Sequence, residues 1–496
     1  MEYLDPEKKR KHRMRIMFGY GLFAVAISMA TVLMVYIANG YYVDRSTGEV
    51  IQNGLVYVDT RPVSAEVTID GELQNVRTDS RHVIPSGTHT FDLFAEGYRP
   101  WSRTFNLEGG SLRRLTYARL IPDVLTPELA TNLRQNPINS SQSINKRWII
   151  MSYESNPLDL TLIDIDNPQS VINQTLTLPD ELVTDPETGI VEFMEWDASD
   201  RYILATYTVA NNPEYIMIDR EQPNNSFNLS KELNPRMQFV MRDRDVNAYF
   251  AYDPVSRELF KANRNSIETE SILKDVIQYE VFGEDWVVYL TESEEASMVQ
   301  ARLLRGDQNI QLKNLQVSDR YFLEIARLGN APIIGVASAV EDRVIVYFDP
   351  EKYLRENPDS TLPVATTVMR IPSLIDFSIS SDSSVILGYG SDNIAAHEFN
   401  EDRSYNYKLD RPIDAGQEVR WIEGQHITYI SEGVAYISDF DGSNVYDLVP
   451  STPLLGVYGT DSVEELISFA AGVYDTDGNA TVPPRVNVTS LVVSTN

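Results

Sequence analysis

Two short runs in the C-terminal half have the residue types and spacing of a cation-binding loop: Asp439-Phe440-Asp441-Gly442-Ser443-Asn444 and Asp475-Thr476-Asp477-Gly478-Asn479. Alternating side-chain oxygens around a glycine suit a hard divalent ion, which takes roughly six to eight such ligands. A helix–loop–helix calcium site would also need a bidentate Glu at the twelfth position, where this chain has Pro450 and Val486. Both Asp-Gly pairs therefore read first as tight turns between strands. The five histidines, His12, His82, His89, His397 and His426, form no HExxH or His-x-His pair, and the chain has no cysteine. Thiol catalysis, cysteine-ligated zinc, iron–sulfur clusters and disulfides are thereby excluded. No Gly-x-Ser-x-Gly elbow, Walker loop or dinucleotide fingerprint is present, and 72 acidic residues are too many for one pair to stand out as an acid/base couple. No catalytic, cofactor-binding or metal residue is assigned on this reading. Asn139, Asn173 and Asn487 head Asn-x-Ser/Thr sequons, which in an Asn-rich acidic chain arise by chance. One aromatic group has binding chemistry: Tyr98 and Trp101, with Arg99 and Arg103, have the composition of a sugar-stacking or partner-binding patch. The competing reading has Tyr98 closing a core and Trp101 opening a strand.

The elements that must position these residues are extended. From about residue 141 the chain repeats one plan: an apolar strand, a polar turn, a stronger apolar strand, a variable loop, and a third strand often ending in an acid. Taking Ile149, Ile203, Tyr249, Val287, Ile333, Ile386, Thr428 and Ile467 as markers, the steps are 54, 46, 38, 46, 53, 42 and 39 residues. A period of about forty residues for a four-stranded unit is that of a β-propeller blade, whose faces are buried only by neighbouring blades. First strands align at Phe193-Met194-Glu195-Trp196-Asp197, Phe377-Ser378-Ile379-Ser380 and Val419-Arg420-Trp421-Ile422. The units around Glu258 and Val299 keep the plan least clearly. These blocks resemble the TolB-like and WD40-like propeller repeats of bacteria. Eight units are counted, or seven if a terminal unit is partial, with residues 115–120 or 486–493 as candidate closing strands. Two separate β-sandwiches are the rival architecture, disfavoured by the regular spacing.

Before the repeats, alternating segments at residues 54–59, 65–70, 89–95, 103–107 and 114–120 describe a small β-sandwich, with Asp70-Gly71, Gly97 and Gly109-Gly110 at its turns. Pro62-Val63-Ser64-Ala65, Val67-Thr68-Ile69-Asp70-Gly71, Ile84-Pro85-Ser86-Gly87-Thr88-His89 and Glu96-Gly97-Tyr98 follow in an order that resembles the PEGA domains. Val63 and Ser64 depart from the namesake Pro-Glu-Gly-Ala. The resemblance implies a cell-surface setting and wall or carbohydrate contact, and no catalytic set.

At the start, Lys8-Lys9-Arg10-Lys11 and Arg13 and Arg15 precede residues 16–38, which carry no charge. Such a run spans a bilayer core of ~30 Å as a helix, and the basic flank is expected to stay cytoplasmic. Ala24-Val25-Ala26 has the form of a cleavage site, but the apolar run continues past it. Tyr36, Tyr41 and Tyr42 suit an interfacial aromatic belt. Asp5-Pro6-Glu7 reads as a helix start. Residues 1–15 hold six of the 42 basic and three of the 72 acidic residues, so 36 basic face 69 acidic residues beyond them. That field repels nucleic acid and anionic lipid headgroups.

The expected fold class is an all-β ectodomain, a small PEGA-like β-sandwich plus a seven- or eight-bladed β-propeller, behind one N-terminal transmembrane helix. Its divisions are a cytoplasmic basic tail (1–15), the transmembrane helix (16–38), a juxtamembrane segment (39–53), the sandwich (54–122), a linker (123–140) with a helical turn near residues 128–133, and the propeller (141–496). The expected role is that of a single-pass, extracytoplasmic binding or scaffold protein of the cell envelope, its propeller presenting a protein-interaction surface and its ectodomain outside the cell membrane. Cell-wall or carbohydrate binding through the sandwich is the alternative, and a propeller hydrolase or lactonase ranks third. The expected partners are envelope proteins or a wall polymer, with the membrane engaged through the chain's own helix, and without nucleic acid or cofactor.

Overall fold

In the computed structural model of the chain, residues 6–38, 40–43, 50–452, 455–474 and 480–493 are described. They belong to two units, Met1–Asp123 and Val124–Asn496.

The first unit opens with a helix, Pro6–Ala38. Proline suits a first helical position, where its missing N–H costs nothing; Asp5, the expected cap, lies outside the described residues. The helix holds the uncharged run, residues 16–38, within a candidate membrane span, Arg10–Ala38, that is 29 residues long. At ~1.5 Å per residue it measures about 43 Å, more than a bilayer core of ~30 Å. Its apolar side chains are uncovered, with Phe18 73% and Met29 72% exposed. The helix is thus long and apolar enough to cross a membrane.

Two four-stranded sheets follow. One joins Tyr41–Val43, Val50–Arg61 and Ser80–Pro85, with Leu112–Arg119 added parallel to Val50–Arg61. The other runs in the order Glu72–Arg77, Glu66–Ile69, Gly87–Phe94, Trp101–Leu107. Alternation drives the packing: in Trp101–Leu107 every second residue is buried, as a strand with one core face requires. Val56, Val67, Phe91, Leu93 and Leu115 are fully buried, and Phe91 stacks on Phe105 at 5.5 Å. The landmark residues of the sequence meet here. Asp70 and Gly71 both take positive φ, 50° and 83°, the pair of values a two-residue hairpin turn demands. Asp70 then accepts hydrogen bonds from the Thr90 N–H at 2.8 Å and lies 2.7 Å from His89 Nδ1, which holds its carboxyl below the usual range. His89 Nε2 sits 2.8 Å from the Pro85 carbonyl, so one imidazole ties the Asp-Gly turn to the Pro-x-Gly-x-His turn.

Among the described residues of the second unit there are eight four-stranded antiparallel sheets, the blades of a β-propeller. All eight sequence markers lie in second strands: Trp148–Ser152, Tyr202–Val209, Asp245–Asp253, Trp286–Glu292, Ala331–Ser338, Val385–Tyr389, His426–Ser431 and Glu465–Ala470. Their apolar runs have a physical cause. A second strand is covered on both faces by adjoining blades, and Val385–Tyr389 and His426–Ser431 are buried at every position. The units around Glu258 and Val299 are complete blades despite their weaker pattern.

Ring closure differs from the sequence expectation. The eighth blade runs Val457–Gly459, Glu465–Ala470, Arg485–Ser490 and then Glu128–Asn132. Its outer strand therefore comes from the segment read as linker with a helical turn. Residues 115–120 instead belong to the sandwich sheet, and the 486–493 segment supplies a third strand rather than the closing one. Residues 128–133 lack a strong apolar run because only one edge of the strand is paired, with Leu129 exposed and Leu133 buried.

Candidate binding site in the propeller channel

First strands surround the centre of the ring, and contacts between consecutive blades close it. Trp196 Nε1 donates to Ser141 Oγ of blade 1 at 3.0 Å, the Met241 N–H of blade 3 donates to Glu195 of blade 2, and the Asp243 N–H donates to the Gly283 carbonyl of blade 4 at 3.0 Å. Gln278 Nε2 donates to the Tyr321 carbonyl of blade 5 at 3.2 Å, and the Phe322 and Phe377 rings, 6.4 Å apart, join blade 5 to blade 6. Trp421 Nε1 donates to Ser378 Oγ of blade 6 at 3.0 Å, and Arg420 donates to the Leu455 carbonyl that leads into blade 8 at 2.7 Å. Tyr458 and Ser140 hydroxyls, 2.9 Å apart, join blade 8 to blade 1. The tryptophans that align in the sequence thus do the same work: each indole N–H reaches a serine on the preceding blade.

An arc of this inner ring is acidic. Glu195, Glu280, Glu324 and Asp376 sit half-buried on the first strands Ile190–Trp196, Val276–Phe282, Tyr321–Leu328 and Asp376–Ile379. Burial pushes Glu195 up to about 6, Glu280 to about 7 and Glu324 to about 8, and raises Asp376 as well. Like charge adds to burial, since Glu195 acts on Glu280, Glu280 and Asp376 act on Glu324, and Glu418 acts on Asp376. Arg244 and Arg320 oppose the shift at Glu195 and Asp376. Among the described residues none of these four carboxylates has a cation within ion-pair distance, and no group of three or more His, Asp or Glu side chains is placed to hold a metal ion. The sequence carries a signal for this arc: one acid inside an apolar run of the first strand, as in Phe193-Met194-Glu195-Trp196, Tyr279-Glu280-Val281, Leu323-Glu324-Ile325 and Ile375-Asp376-Phe377.

Acids at the ends of third strands are instead structural. Asp164 and Asp219 receive bidentate hydrogen bonds from Arg147 and Arg201, the residues that precede second strands. Asp439 holds the buried His426 in the same position of blade 7: His426 Nε2 lies 3.1 Å from Asp439 and Nδ1 2.8 Å from Glu423. Burial opposes the charge on His426, yet the two carboxylates keep it protonated up to about 9.

These groups set the pH dependence of stability. Glu195, Glu280 and Glu324 keep protons in the folded state that the unfolded chain releases near its ordinary carboxylate pKa, so stability is lost as pH rises from about 4.5 through about 8. The His426 contribution, complete below about 6.5, is likewise lost as pH rises through about 9. The propeller is expected to melt roughly 5 °C lower at pH 8.5 than at pH 5.5. Calorimetry at constant ionic strength checks this, and a flat or rising melting temperature would contradict the burial of the arc.

The other residues singled out in the sequence lie elsewhere. Asp439–Asn444 forms the turn between Val434–Asp439 and Tyr446–Pro450, its carboxylates occupied by His426, Ser443 and Asn444. Residues 475–479 lie outside the described residues. His82 is buried against Phe91, and burial lowers its pKa. His397 is buried with Nδ1 2.9 Å from Ser404 Oγ. The aromatic patch proves to be core: Trp101 is 0%, Tyr98 3% and Arg103 4% exposed. Trp101 meets Tyr117 edge-on at 6.0 Å, and the Arg103 guanidinium lies over that ring at 5.4 Å. Trp101→Ala is accordingly expected to destabilise the sandwich by about 3–5 kcal/mol. Denaturant unfolding of the variant measures that cost; an unchanged midpoint would return Trp101 to the surface.

Residues 53–118 match the model of the PEGA domain. None of the curated proteins compared with the chain matches it. Among solved structures, the Dos1 propeller is 12% identical with a TM-score of 0.46, covering 74% of this chain and 96% of that one. Hsv2p of Kluyveromyces lactis is 13% identical with a TM-score of 0.40, covering 71% and 97%. Dihydro-heme d1 dehydrogenase NirN is 8% identical with a TM-score of 0.39, covering 63% and 66%. The likeness is one of fold alone.

Proposed function

We propose that this chain, a PEGA domain joined to an eight-bladed β-propeller, is a single-pass membrane-anchored binding protein of the cell envelope, its propeller presenting an interaction surface outside the membrane. The observation that carries the reading is the N-terminal helix, whose apolar side chains are left uncovered over Arg10–Ala38. Exposed apolar surface of that extent needs a bilayer or a partner. Arg10, Lys11, Arg13 and Arg15 at its start favour a cytoplasmic N-terminus. The field of the residues beyond the helix favours protein partners with basic surfaces over nucleic acid. Wall-polymer binding through the sandwich has less support, because Tyr98 and Trp101, which would stack on sugar, are buried.

The absence of cysteine makes the topology directly testable. Ser256→Cys on the propeller and Lys11→Cys in the basic first part of the helix place single thiols at exposed positions. Intact cells treated with a membrane-impermeant maleimide should label position 256 and spare position 11, with the full chain in the membrane fraction. Release of the chain in soluble form refutes the anchor, and labelling at position 11 alone refutes its orientation. Incubation of the chain with isolated sacculi and with solubilised envelope proteins then separates wall binding from protein binding.

A further inference from the structure

We propose that the propeller channel binds an organic ammonium group, in a cavity of about 230 Å³ beside the first strands of blades 3 and 4. This goes beyond the anchored-scaffold reading and does not depend on it. Tyr215, Tyr252, Tyr279 and Phe239 supply the aromatic walls and Glu280 the charge. The Tyr252 and Tyr279 rings are 5.3 Å apart and tilted by 55°, and Tyr215 meets Phe239 edge-on at 5.8 Å.

Two independent features point to a ligand. Tyr215 is 7% exposed and lines the cavity, and its hydroxyl makes no hydrogen bond among the described residues while keeping contact with solvent, so it is open to a ligand. The Tyr252 hydroxyl, by contrast, is occupied, donating to the Val276 carbonyl at 2.7 Å. The second feature is charge. Glu280 has no cation within ion-pair distance among the described residues, no Lys, Arg or His lines the cavity, and Glu195 on a first strand of the same arc repels it. Half-buried and unpaired, Glu280 holds its proton up to about 7, and a cation placed against it would favour the ionised form.

The missing complement is therefore a cation with N–H donors. The walls decide which kind: a bare divalent ion would want about six oxygens, whereas aromatic faces attract alkylammonium groups through their negative quadrupoles. An ammonium group donating to Glu280 and to the Tyr215 oxygen, with its carbon chain against Tyr252 and Tyr279, satisfies every wall. The same chemistry belongs to a free amine and to the lysine side chain of a bound protein.

The test is calorimetric titration of the full chain in detergent micelles with n-butylammonium chloride, butan-1-ol and Nα-acetyl-lysine methylamide. Butylammonium should bind saturably at one site, and butan-1-ol should not bind. Glu280→Gln should weaken binding about tenfold or more, and Tyr215→Phe, which keeps the ring and removes only the hydroxyl, about threefold. Glu432→Gln, an exposed control elsewhere on the ring, should change nothing, which separates the site from diffuse attraction to an acidic protein. Equal binding of butan-1-ol, or unchanged affinity in a folded Glu280→Gln variant, overturns the proposal. Binding of the lysine amide as tightly as butylammonium assigns the cavity to a partner's side chain; binding of the free amine alone assigns it to a small ligand.

Discussion

A fragment starting at residue 141 is expected to fail as a propeller, while one starting at residue 124 folds. The shorter fragment lacks Glu128–Asn132, which pairs with Arg485–Ser490 through Asn132 opposite Arg485 and Glu128 opposite Val488. It also lacks Leu133, which is 4% exposed in the core formed by Ile149, Met151, Ile467, Phe469 and Val486, and whose N–H donates to the Pro484 carbonyl at 2.7 Å. Losing Leu133 from that core costs about 2–5 kcal/mol and each missing backbone bond about 1 kcal/mol, so the deficit is roughly 5–10 kcal/mol. The deletion also bares a strand edge that invites association between molecules. Calorimetry and light scattering on the two fragments distinguish the outcomes. A 141–496 fragment that stays monomeric and melts with the 124–496 fragment would show that blade 8 does not need its fourth strand.

The largest single-residue effect in the propeller is expected at Asp219. Its side chain is fully buried, and it takes 3.0 and 2.6 Å hydrogen bonds from Arg201 and further bonds from the Glu221 and Gln222 N–H groups at 3.0 Å. Burial opposes the charge, but these donors hold the carboxyl below its ordinary range. Asp219→Ala removes the anion and leaves the guanidinium and two backbone donors without it, at a cost of about 3–5 kcal/mol. Asp164→Ala should cost less, because its partner Arg147 is 42% exposed and water replaces the lost bonds. Urea midpoints of the two variants measured side by side give the comparison; equal losses would mean that burial of the pair is not what matters. Acidification should reproduce the loss, since a lowered carboxylate contributes above its unfolded pKa and ceases to as pH falls through the folded value.

Both results turn on features of unequal visibility in the sequence. Third strands ending in Asp were apparent from Ile218-Asp219 and Ser438-Asp439, but the partners lie 18 and 13 positions earlier, at Arg201 and His426, and only pairing of the second and third strands brings them together. The acidic arc lies on four first strands, from Glu195 to Asp376, and is hidden among 72 acids because no local pattern says that first strands face a common axis.

Features that rest on local periodicity are legible in the chain alone. The uncharged run before Ala38, the eight apolar second strands and the Asp70-Gly71 turn are readable because each follows from burial or backbone geometry over a few residues. Features that depend on residues far apart in the chain emerge only once the fold brings them together. Glu128–Asn132 is a strand because Arg485–Ser490 offers it an edge. Trp101 is core because Tyr117 covers it. Glu195, Glu280 and Glu324 hold protons because ring closure removes them from water and brings them near one another. Desolvation and long-range pairing are properties of the closed ring, and no stretch of sequence contains them.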